Sequence, residues 1–349
     1  MGIVTMRNAL GLMLASVVAA VVIAGVWFWT SSPRAEVAPP QTIAARKAEP
    51  LPPAAKPAKD DVQVTASLTK PAPLPAPAPV APVQHKSTCA NPNALGVART
   101  VVIDTSGGPG FGFEHFKQLD FLTDKEVVLT FDDGPWPNNT AAVLKALAAE
   151  CTKGLFFSVG KHASYHPEIL KQVLAAGHTV GTHTFSHVNL NSKKMTEQQV
   201  RDELEKGFSA VKMALGQAPA PFFRFPQLQH NPAAMTYLGT RNVAMFSTDL
   251  DSFDFRSQNA DQIVNTVMTK VDKLGKGIIL MHDFQKLTGE ALPTLLARLK
   301  AGGYKVVHMK AKTPFDTLPE YDAMMVRDTS RLPQVSSRPV SAVVQTVTD

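Results

Sequence analysis

The sequence predicts an α/β fold in which parallel strands alternate with helices, preceded by a membrane helix and a proline-rich linker. Short apolar runs recur from Val127 to His308, and the segments between them carry apolar residues at helical spacing. Strands that alternate with helices pair in parallel through crossover helices, which suits a barrel or a doubly wound sheet.

The pattern predicts seven strands, at Val127–Phe131, Leu155–Val159, His178–Thr182, Pro221–Phe225, Val243–Ser247, Gly277–Met281 and Tyr304–His308. It predicts helices at Thr140–Glu150, Pro167–Ala176, Thr196–Leu215, Asn259–Leu274 and Glu290–Ala301. Thr196 and Gln199 fit a capping box, which would start the third of these helices.

Composition favours a globular protein that does not bind nucleic acid. The 349 residues suffice for one large domain or two ordinary ones, and 44% of them are hydrophobic. The net charge of +6 is mild for this length, and no basic run is interleaved with aromatic residues, so nucleic acid is not an expected partner. The basic balance suits attraction to an anionic membrane or wall.

The first 30 residues contain a predicted membrane anchor. Ala9–Trp29 is uncharged and about long enough to cross a bilayer as a helix. A cleaved signal sequence is the alternative, but no small-x-small site follows closely. Arg7 precedes the segment and more basic residues follow it, which argues weakly against export of the body. The orientation therefore stays open.

Two further segments differ in composition from the globular part at 87–312. Residues 31–86 are rich in proline and alanine, most clearly at Pro71–Pro79, and predict an extended, semi-rigid spacer. Residues 313–349 are rich in Ser, Thr, Val and Pro without a period and predict a disordered tail. Cys89 and Cys151 form either one disulfide or two unpaired thiols, and the sequence leaves both open.

Polar residues follow five of the predicted strands, at the point where each strand ends. They are Asp132, Asp133, His183, His187, Arg224, Asp249, Asp251, Asp254, His282 and Asp283. The carboxyl ends of parallel strands form the rim on which α/β barrels build their active sites. We therefore expect these loops to converge on one pocket.

The residue types in these loops indicate a catalytic metal site. Adjacent carboxylates, Asp132 and Asp133, can divide the work of a base and a metal ligand. His183 and His187 are spaced to reach one ion from a helical turn or a tight loop. One carboxylate and two imidazoles suit zinc, with cobalt, nickel and manganese as alternatives. Taken singly, the first pair would be an ordinary polar turn and the second two surface histidines.

Five segments resemble the ordered motifs of the polysaccharide deacetylases, carbohydrate esterase family 4, also called the NodB-homology domain. They are Thr130–Pro135, His183–His187, Arg224–Pro226, Asp251–Phe255 and Leu280–Asp283. The resemblance covers Glu126 to Met309 and implies a distorted (β/α) barrel of about seven parallel strands. The resemblance further implies that residues 87–312 form a polysaccharide deacetylase catalytic domain.

The resemblance implies a role for each central residue. Asp133, His183 and His187 would bind the metal. Asp132 would be the general base that takes a proton from water, and His282 the general acid that protonates the leaving amine.

The resemblance also implies supporting roles. Arg224 would keep the base ionised, and Asp254 would favour the protonated acid. The backbone N–H of Gln227 would hold the oxyanion, and Leu280 would shape the pocket for the acetyl methyl. The family usually has an aromatic residue where Gln227 stands and a tryptophan where Phe255 stands.

Trp136 directly follows the first motif and is a candidate sugar-stacking residue. The alternative is an exposed aromatic residue in a loop.

Together these features predict a metal-dependent hydrolase that removes N-acetyl groups from an N-acetylglucosamine-containing polysaccharide. With the anchor and stalk facing outward, the substrate would be peptidoglycan or another envelope glycan. A nodulation-type chitooligosaccharide deacetylase is one alternative. A non-catalytic, membrane-tethered carbohydrate-binding protein is another, although such a protein would need neither an acid nor a base. Protein partners, exact glycan and oligomeric state are not encoded in any pattern found.

Overall fold

The structure is a computed structural model and describes residues 89–330. The predicted anchor at Ala9–Trp29, the linker at 31–86 and the tail beyond residue 330 lie outside the described residues. Between residues 89 and 330, no helix combines the length and the apolar character that crossing a membrane requires.

Ten strands make up the sheet of the described residues, and every pair is parallel. They are β1 (Arg99–Ile103), β2 (Gly110–Phe111), β3 (Glu126–Asp132), β4 (Leu155–Ser158), β5 (Thr179–Thr182), β6 (Phe222–Arg224), β7 (Ala244–Phe246), β8 (Leu250–Asp251), β9 (Gly277–His282) and β10 (Lys305–Ala311). All seven predicted strands are present, whereas β1, β2 and β8 were not predicted.

The strand pairs form a ring that is open between β7 and β8. Pairing runs from β3 through β4, β5 and β6 to β7, while β8 pairs with β9 and β9 with β3. β7 and β8 do not pair with each other, and residues 247–249 connect them along the chain. β10 joins β3 only at Glu126 and Val127 and carries β1 at its other edge, and β2 pairs with β7. The predicted parallel α/β fold is confirmed.

Eight helices lie in the described part of the chain. They are α1 (Asn139–Ala149), α2 (Gly160–Tyr165), α3 (Pro167–Ala175), α4 (Glu197–Leu215), α5 (Pro232–Thr240), α6 (Ala260–Leu274), α7 (Lys286–Ala301) and α8 (Pro319–Ser330). Five were predicted, with α7 beginning four residues earlier than expected. The predicted capping box is confirmed, because Thr196 Oγ1 accepts from the Gln199 N–H at 3.2 Å and Gln199 Oε1 from the Thr196 N–H at 2.9 Å.

Strand β3 is buried on both faces, as expected for a central parallel strand. Leu129 and Phe131 pack in a cluster with residues of α1, α6 and α7. Val128, on the opposite face, packs with Phe157 and Phe246 from other strands of the ring. Because side chains alternate along a strand, Thr130 and Asp132 share the face of Val128, toward the interior of the ring.

The predicted disorder of the tail is wrong for residues 313–330. Phe315 is buried, with its ring centroid 4.6 Å from that of Phe208. Tyr321 in α8 is also buried, and Lys212 Nζ of α4 lies 2.8 Å from Asp322 Oδ2. These widely spaced contacts with α4 give the segment enough apolar burial to fold, which its average composition did not indicate.

The structure contains the disulfide that the sequence left open. Cys89 and Cys151 are bonded across a sequence separation of 62 residues. The bond joins the first described residue to the segment between α1 and β4.

Candidate active site

The predicted rim residues converge on one cavity. It has a volume of about 570 Å³. The predicted residues in its lining are Asp132, Asp133, His183, His187, Gln227, Asp251, Leu280 and His282. Parallel strands bring their carboxyl ends to the same side of the ring, so residues distant in sequence meet there.

Asp133, His183 and His187 form a compact group in which one ligand atom from each lies within 4.8 Å of the others. Asp133 Oδ1 is 3.2 Å from His187 Nε2 and 3.5 Å from His183 Nε2. Asp133 and His187 have φ angles of 74° and 59°. These left-handed backbone conformations turn the chain sharply after β3 and β5, and are uncommon for residues other than glycine.

The donor atoms of this group fit a divalent cation. The Nδ1–H of His183 donates to the Arg224 carbonyl at 2.7 Å, which leaves the Nε2 lone pair facing Asp133. Burial lowers the pKa of His183 and favours its neutral form. Asp133 Oδ1 is buried and has no hydrogen-bond donor among residues 89–330. A bound cation would satisfy Asp133 Oδ1 and relieve its close approach to the lone pair of His183 Nε2.

Asp132 is held by a buried arginine. Arg224 Nη1 donates to Asp132 Oδ1 at 2.8 Å and to Thr130 Oγ1 at 2.7 Å, while Nη2 donates to the Ser247 carbonyl at 2.8 Å. The guanidinium compensates the charge of a carboxylate that is almost completely removed from solvent. The second carboxylate oxygen, Oδ2, lies 3.8 Å from His183 Nε2 and so faces the Asp-His-His group.

His282 is paired with Asp254. Its Nδ1 lies 2.6 Å from Asp254 Oδ1, and its backbone N–H donates to Asp254 Oδ2 at 2.7 Å. Thr288 Oγ1 donates to the same Oδ2 at 2.6 Å. Burial lowers the pKa of His282, but the hydrogen bond and the charge of Asp254 outweigh burial and raise this pKa to about 10. The imidazole is therefore protonated at neutral pH and can act as an acid.

Asp283 holds the loop that carries the first motif. This buried residue accepts from the Gly134 N–H at 3.1 Å and from Thr140 Oγ1 at 2.6 Å. Burial raises the pKa of Asp283 to about 7. Any side chain at Gly134 would collide with the Asp283 carboxyl group. The sequence placed Asp283 at the rim, but its positioning contact could not be read from spacing.

Several cavity residues lie outside the roles assigned from sequence. They are Glu114, Asp251, Phe253, Phe255, Arg256, Phe284 and Gln285. Glu114 follows β2, a strand too short to predict, and its backbone N–H donates to the Thr248 carbonyl at 2.9 Å. Burial and the charge of Asp251 raise the pKa of Glu114, and both residues belong to the cavity lining.

Five residues suggested by sequence are not part of the cavity lining, namely Arg224, Asp254 and Asp283, whose contacts are given above, and Trp136 and Asp249. Trp136 is 39% exposed and packs its ring edge against His162 at 5.1 Å and Phe284 at 6.2 Å between centroids. It lies beside the cavity, in contact with the lining residue Phe284. Asp249 is instead a structural carboxylate that accepts from the backbone N–H groups of Phe113 and Ile278.

Gln227 lies in a short 3₁₀ turn directly after β6. Its φ angle is 57°, a left-handed conformation. Its side-chain Oε1 accepts from Asn189 Nδ2 at 3.3 Å. Leu280 is buried on β9, next in the cavity wall to His282.

Comparison with known proteins agrees with this geometry. A family model described as polysaccharide deacetylase matches residues 122–243. The chitooligosaccharide deacetylase of Sinorhizobium fredii is 31% identical over 177 residues, which cover 48% of this chain and 80% of that protein. The chain belongs to the polysaccharide deacetylase family.

Two further similarities are to proteins named for peptidoglycan. The peptidoglycan-N-acetylglucosamine deacetylase PgdA of Listeria monocytogenes is 32% identical over 185 residues, covering 53% of this chain but only 38% of that protein. The structure of the Bdellovibrio bacteriovorus peptidoglycan deacetylase Bd3279 matches with a TM-score of 0.56 and 34% identity, covering 62% of this chain and 59% of that chain.

Proposed function

We propose that this protein is a metal-dependent hydrolase that removes N-acetyl groups from an N-acetylglucosamine-containing envelope glycan, and that this glycan is peptidoglycan. One observation carries the proposal. A carboxylate paired with arginine and an imidazole paired with carboxylate line the same cavity as an Asp-His-His group. A base, an acid and a cation site together are what amide hydrolysis requires.

Asp133, His183 and His187 would hold the cation, for which we propose zinc. Two imidazole nitrogens and one carboxylate oxygen form a typical catalytic zinc donor set with positions left for substrate and water. When bound, the cation supplies Lewis acidity that polarises the amide carbonyl and eases deprotonation of water.

Asp132 acts as the general base. Its Oδ1 is occupied by the Arg224 guanidinium, so Oδ2 is the oxygen available to take a proton from the attacking water. Arg224 holds the carboxylate in one orientation through its contacts with Thr130 and Ser247. Such positioning of a base is worth about 10²- to 10⁴-fold in rate.

His282 acts as the general acid. Because its Nδ1 proton is directed to Asp254, the Nε2–H is the proton available to the cavity. Transfer of that proton to the amide nitrogen lets the amine leave as a neutral group. Acetate and the free amine are then the products.

Leu280 and Gln227 complete the proposed site. The buried side chain of Leu280 offers an apolar surface for the acetyl methyl group. The backbone N–H of Gln227 would donate to the developing oxyanion, and a backbone donor does not depend on the type of side chain.

The names of relatives support two substrate classes. PgdA and Bd3279 are named for peptidoglycan and the Sinorhizobium protein for chitooligosaccharides. We favour an envelope glycan because the predicted anchor and spacer would hold the domain at a membrane. A nodulation-type chitooligosaccharide deacetylase is the second candidate, supported by the higher coverage of the Sinorhizobium relative.

We also propose that Ala9–Trp29 anchors the protein and that the catalytic domain lies outside the cytoplasm. The disulfide between Cys89 and Cys151 supports this location, since disulfides persist in oxidising compartments. A periplasm-dependent phosphatase fused after Asp349 should be active in cells. Activity of a cytoplasm-dependent reporter at the same position would instead favour a cytoplasmic domain.

An acetate-release assay tests the proposed function. The full chain, supplied with zinc or cobalt, should release acetate from peptidoglycan fragments or chitin oligomers and should stop when the metal is chelated. Sugar binding without acetate release across these substrates would favour a carbohydrate-binding protein over an enzyme.

A further inference from the structure

Arg256 is a cavity-lining cation without a carboxylate partner. The carboxylates in the lining are Glu114, Asp132, Asp133 and Asp251. Arg224 compensates Asp132. Arg256 forms no ion pair with any carboxylate in the part of the chain that the structure describes, and its polar N–H groups therefore remain available to a ligand.

Local contacts fix the position of Arg256. It ends the 3₁₀ turn Asp254–Arg256, the same turn that supplies the partner of His282. Its backbone N–H donates to the Phe253 carbonyl at 3.0 Å. Its guanidinium carbon lies 5.5 Å from the centroid of the Phe253 ring and 5.0 Å from that of Phe255. Contact with ring faces holds the guanidinium without neutralising its charge.

The other cation near this turn is already used by the fold. Lys270 Nζ donates to the Asp251 carbonyl at 2.6 Å and lies 3.8 Å from the centroid of the Phe253 ring. It is absent from the cavity lining, whereas Arg256 is part of it. Of these two cations, Arg256 is therefore the one that a negatively charged group in the cavity can contact.

We propose that Arg256 forms a carboxylate subsite that selects glycans in which the sugar beside the target N-acetylglucosamine carries a carboxylate. The inference rests on the proposed function and identifies its substrate class. A planar guanidinium binds a carboxylate through two parallel hydrogen bonds. Chitin has no charged sugar, whereas muramic acid carries a lactyl carboxyl group. In peptidoglycan the carboxylate comes either from that group or from the peptide attached to it.

A set of matched oligosaccharides tests the subsite. The substrates are an acidic tetrasaccharide of alternating N-acetylglucosamine and N-acetylmuramic acid, its lactyl carboxamide, and its peptide-bearing form. For the wild-type chain, kcat/KM for the acidic compound should exceed that for the carboxamide by about 10-fold, the size of a charge-assisted hydrogen-bond pair.

Substitutions of Arg256 should remove this preference. In Arg256→Gln the ratio of the two kcat/KM values should fall close to one. In Arg256→Lys the ratio should lie between that of the wild type and that of Arg256→Gln, because a lysine keeps the charge but not the two parallel N–H donors of a guanidinium. Lys273→Gln removes the same charge from an exposed position of α6 and should keep the wild-type ratio. The subsite would be overturned if Arg256→Gln left the wild-type preference unchanged for both the acidic and the peptide-bearing compound.

The peptide-bearing substrate distinguishes the two sources of the carboxylate. Its lactyl group is amide-linked, so a preference for it that Arg256→Gln removes assigns the carboxylate to the peptide. A preference confined to the free lactyl form assigns it to the sugar.

Calorimetric binding separates failure of the subsite from failure of the proposed function. The acidic tetrasaccharide should bind the wild type about 10-fold more tightly than it binds Arg256→Gln, with or without turnover. If no acetate is released but this difference holds, the proposed hydrolase is wrong and the subsite stands. If acetate is released with no dependence on the carboxylate in binding or turnover, the subsite is wrong and the hydrolase stands.

Discussion

The two ends of the strand ring contain histidines in opposite environments. At the carboxyl end, His282 is paired with Asp254, and the hydrogen bond and charge overcome burial to raise its pKa to about 10. At the amino end, His178 accepts from the Gly154 N–H at 3.1 Å. Burial, with the charge of Lys153, lowers the pKa of His178 to about 3. Between these two imidazoles, the hydrogen-bonded carboxylate of Asp254 makes the difference, because it stabilises the protonated form that burial disfavours.

This difference indicates that the two ends of the strand ring serve different purposes. The carboxyl end holds charges that chemistry needs, while the amino end holds the neutral His178, the disulfide and the Arg99–Glu126 ion pair, which the fold needs. Changes at the carboxyl end should therefore reduce turnover, and changes at the amino end should reduce the free energy of unfolding.

The largest effect should come from His183→Ala. Loss of one of three ligands should remove the bound cation and lower acetate release by about a thousandfold or more. Metal content and acetate release measure both effects. His166→Ala, at a partly exposed histidine before α3, is the control and should keep the ion. An unchanged metal content in His183→Ala would contradict the assigned ligand set.

Asp132→Asn should separate metal binding from turnover. The amide keeps the size of the side chain but cannot take the proton, so kcat should fall by about 10²- to 10⁴-fold. The metal content should stay that of the wild type. Full activity of the Asn variant would refute Asp132 as the base.

Asp254→Asn should move the pH dependence of catalysis. In the wild type the acid keeps its proton up to the pKa of His282, about 10, so activity should decline only on the alkaline side of that value. Without the Asp254 charge the pKa of His282 falls, and the alkaline limb should shift to lower pH. Activity at pH 8 should decrease by about 10- to 100-fold. Profiles of kcat against pH that coincide would exclude the proposed pairing.

At the amino end, replacing both cysteines should reduce stability and spare turnover. The disulfide spans a sequence separation of 62 residues, for which loop-closure entropy gives about 4 kcal/mol. Urea unfolding of the Cys89→Ser, Cys151→Ser double variant should show this loss. Reduced wild type is the control and should unfold at the same denaturant concentration as the variant. Equal unfolding midpoints for the oxidised wild type and the variant would show that the disulfide adds little to the free energy of unfolding.

His178→Asn should weaken the acid sensitivity of folding. Because the folded-state pKa of His178 is about 3 and the unfolded value about 6.5, the unfolded chain binds the extra proton, and stability falls as pH drops below 6.5. The cost at pH 5 is about 2 kcal/mol. Asn keeps an acceptor for the Gly154 N–H without a titrating ring. Thermal midpoints at pH 5 and 7.5 should therefore differ less in the variant, and an equal difference would contradict this origin.

Much of the fold was predictable because its central elements carry strong local patterns. The buried strand β3 reads as an apolar run, and Thr196 with Gln199 marks the start of α4. Strands β2 and β8 have only two residues each, which is too short for any periodicity. Helix α8 was missed because a few apolar residues, such as Tyr321, stabilise it through contacts distant in sequence.

The candidate site likewise contains residues that the sequence identified and residues that it did not. Its motif residues were identified because adjacent acids and paired histidines have recognisable spacing. Glu114 has no such spacing, because it follows the two-residue strand β2. Arg256 directly follows the fourth motif, but the motif assigns it no role. The buried contacts of Asp283 with Gly134 and Thr140 also join distant segments, so no local pattern contains them.

Acetate release by the full chain, measured before metal removal, after chelation and after zinc is restored, tests the central claim most directly. We predict release from an N-acetylated glycan, its loss with the chelator, and its recovery with zinc in the wild type but not in His183→Ala. Acetate release at an unchanged rate in the metal-free protein would contradict the account.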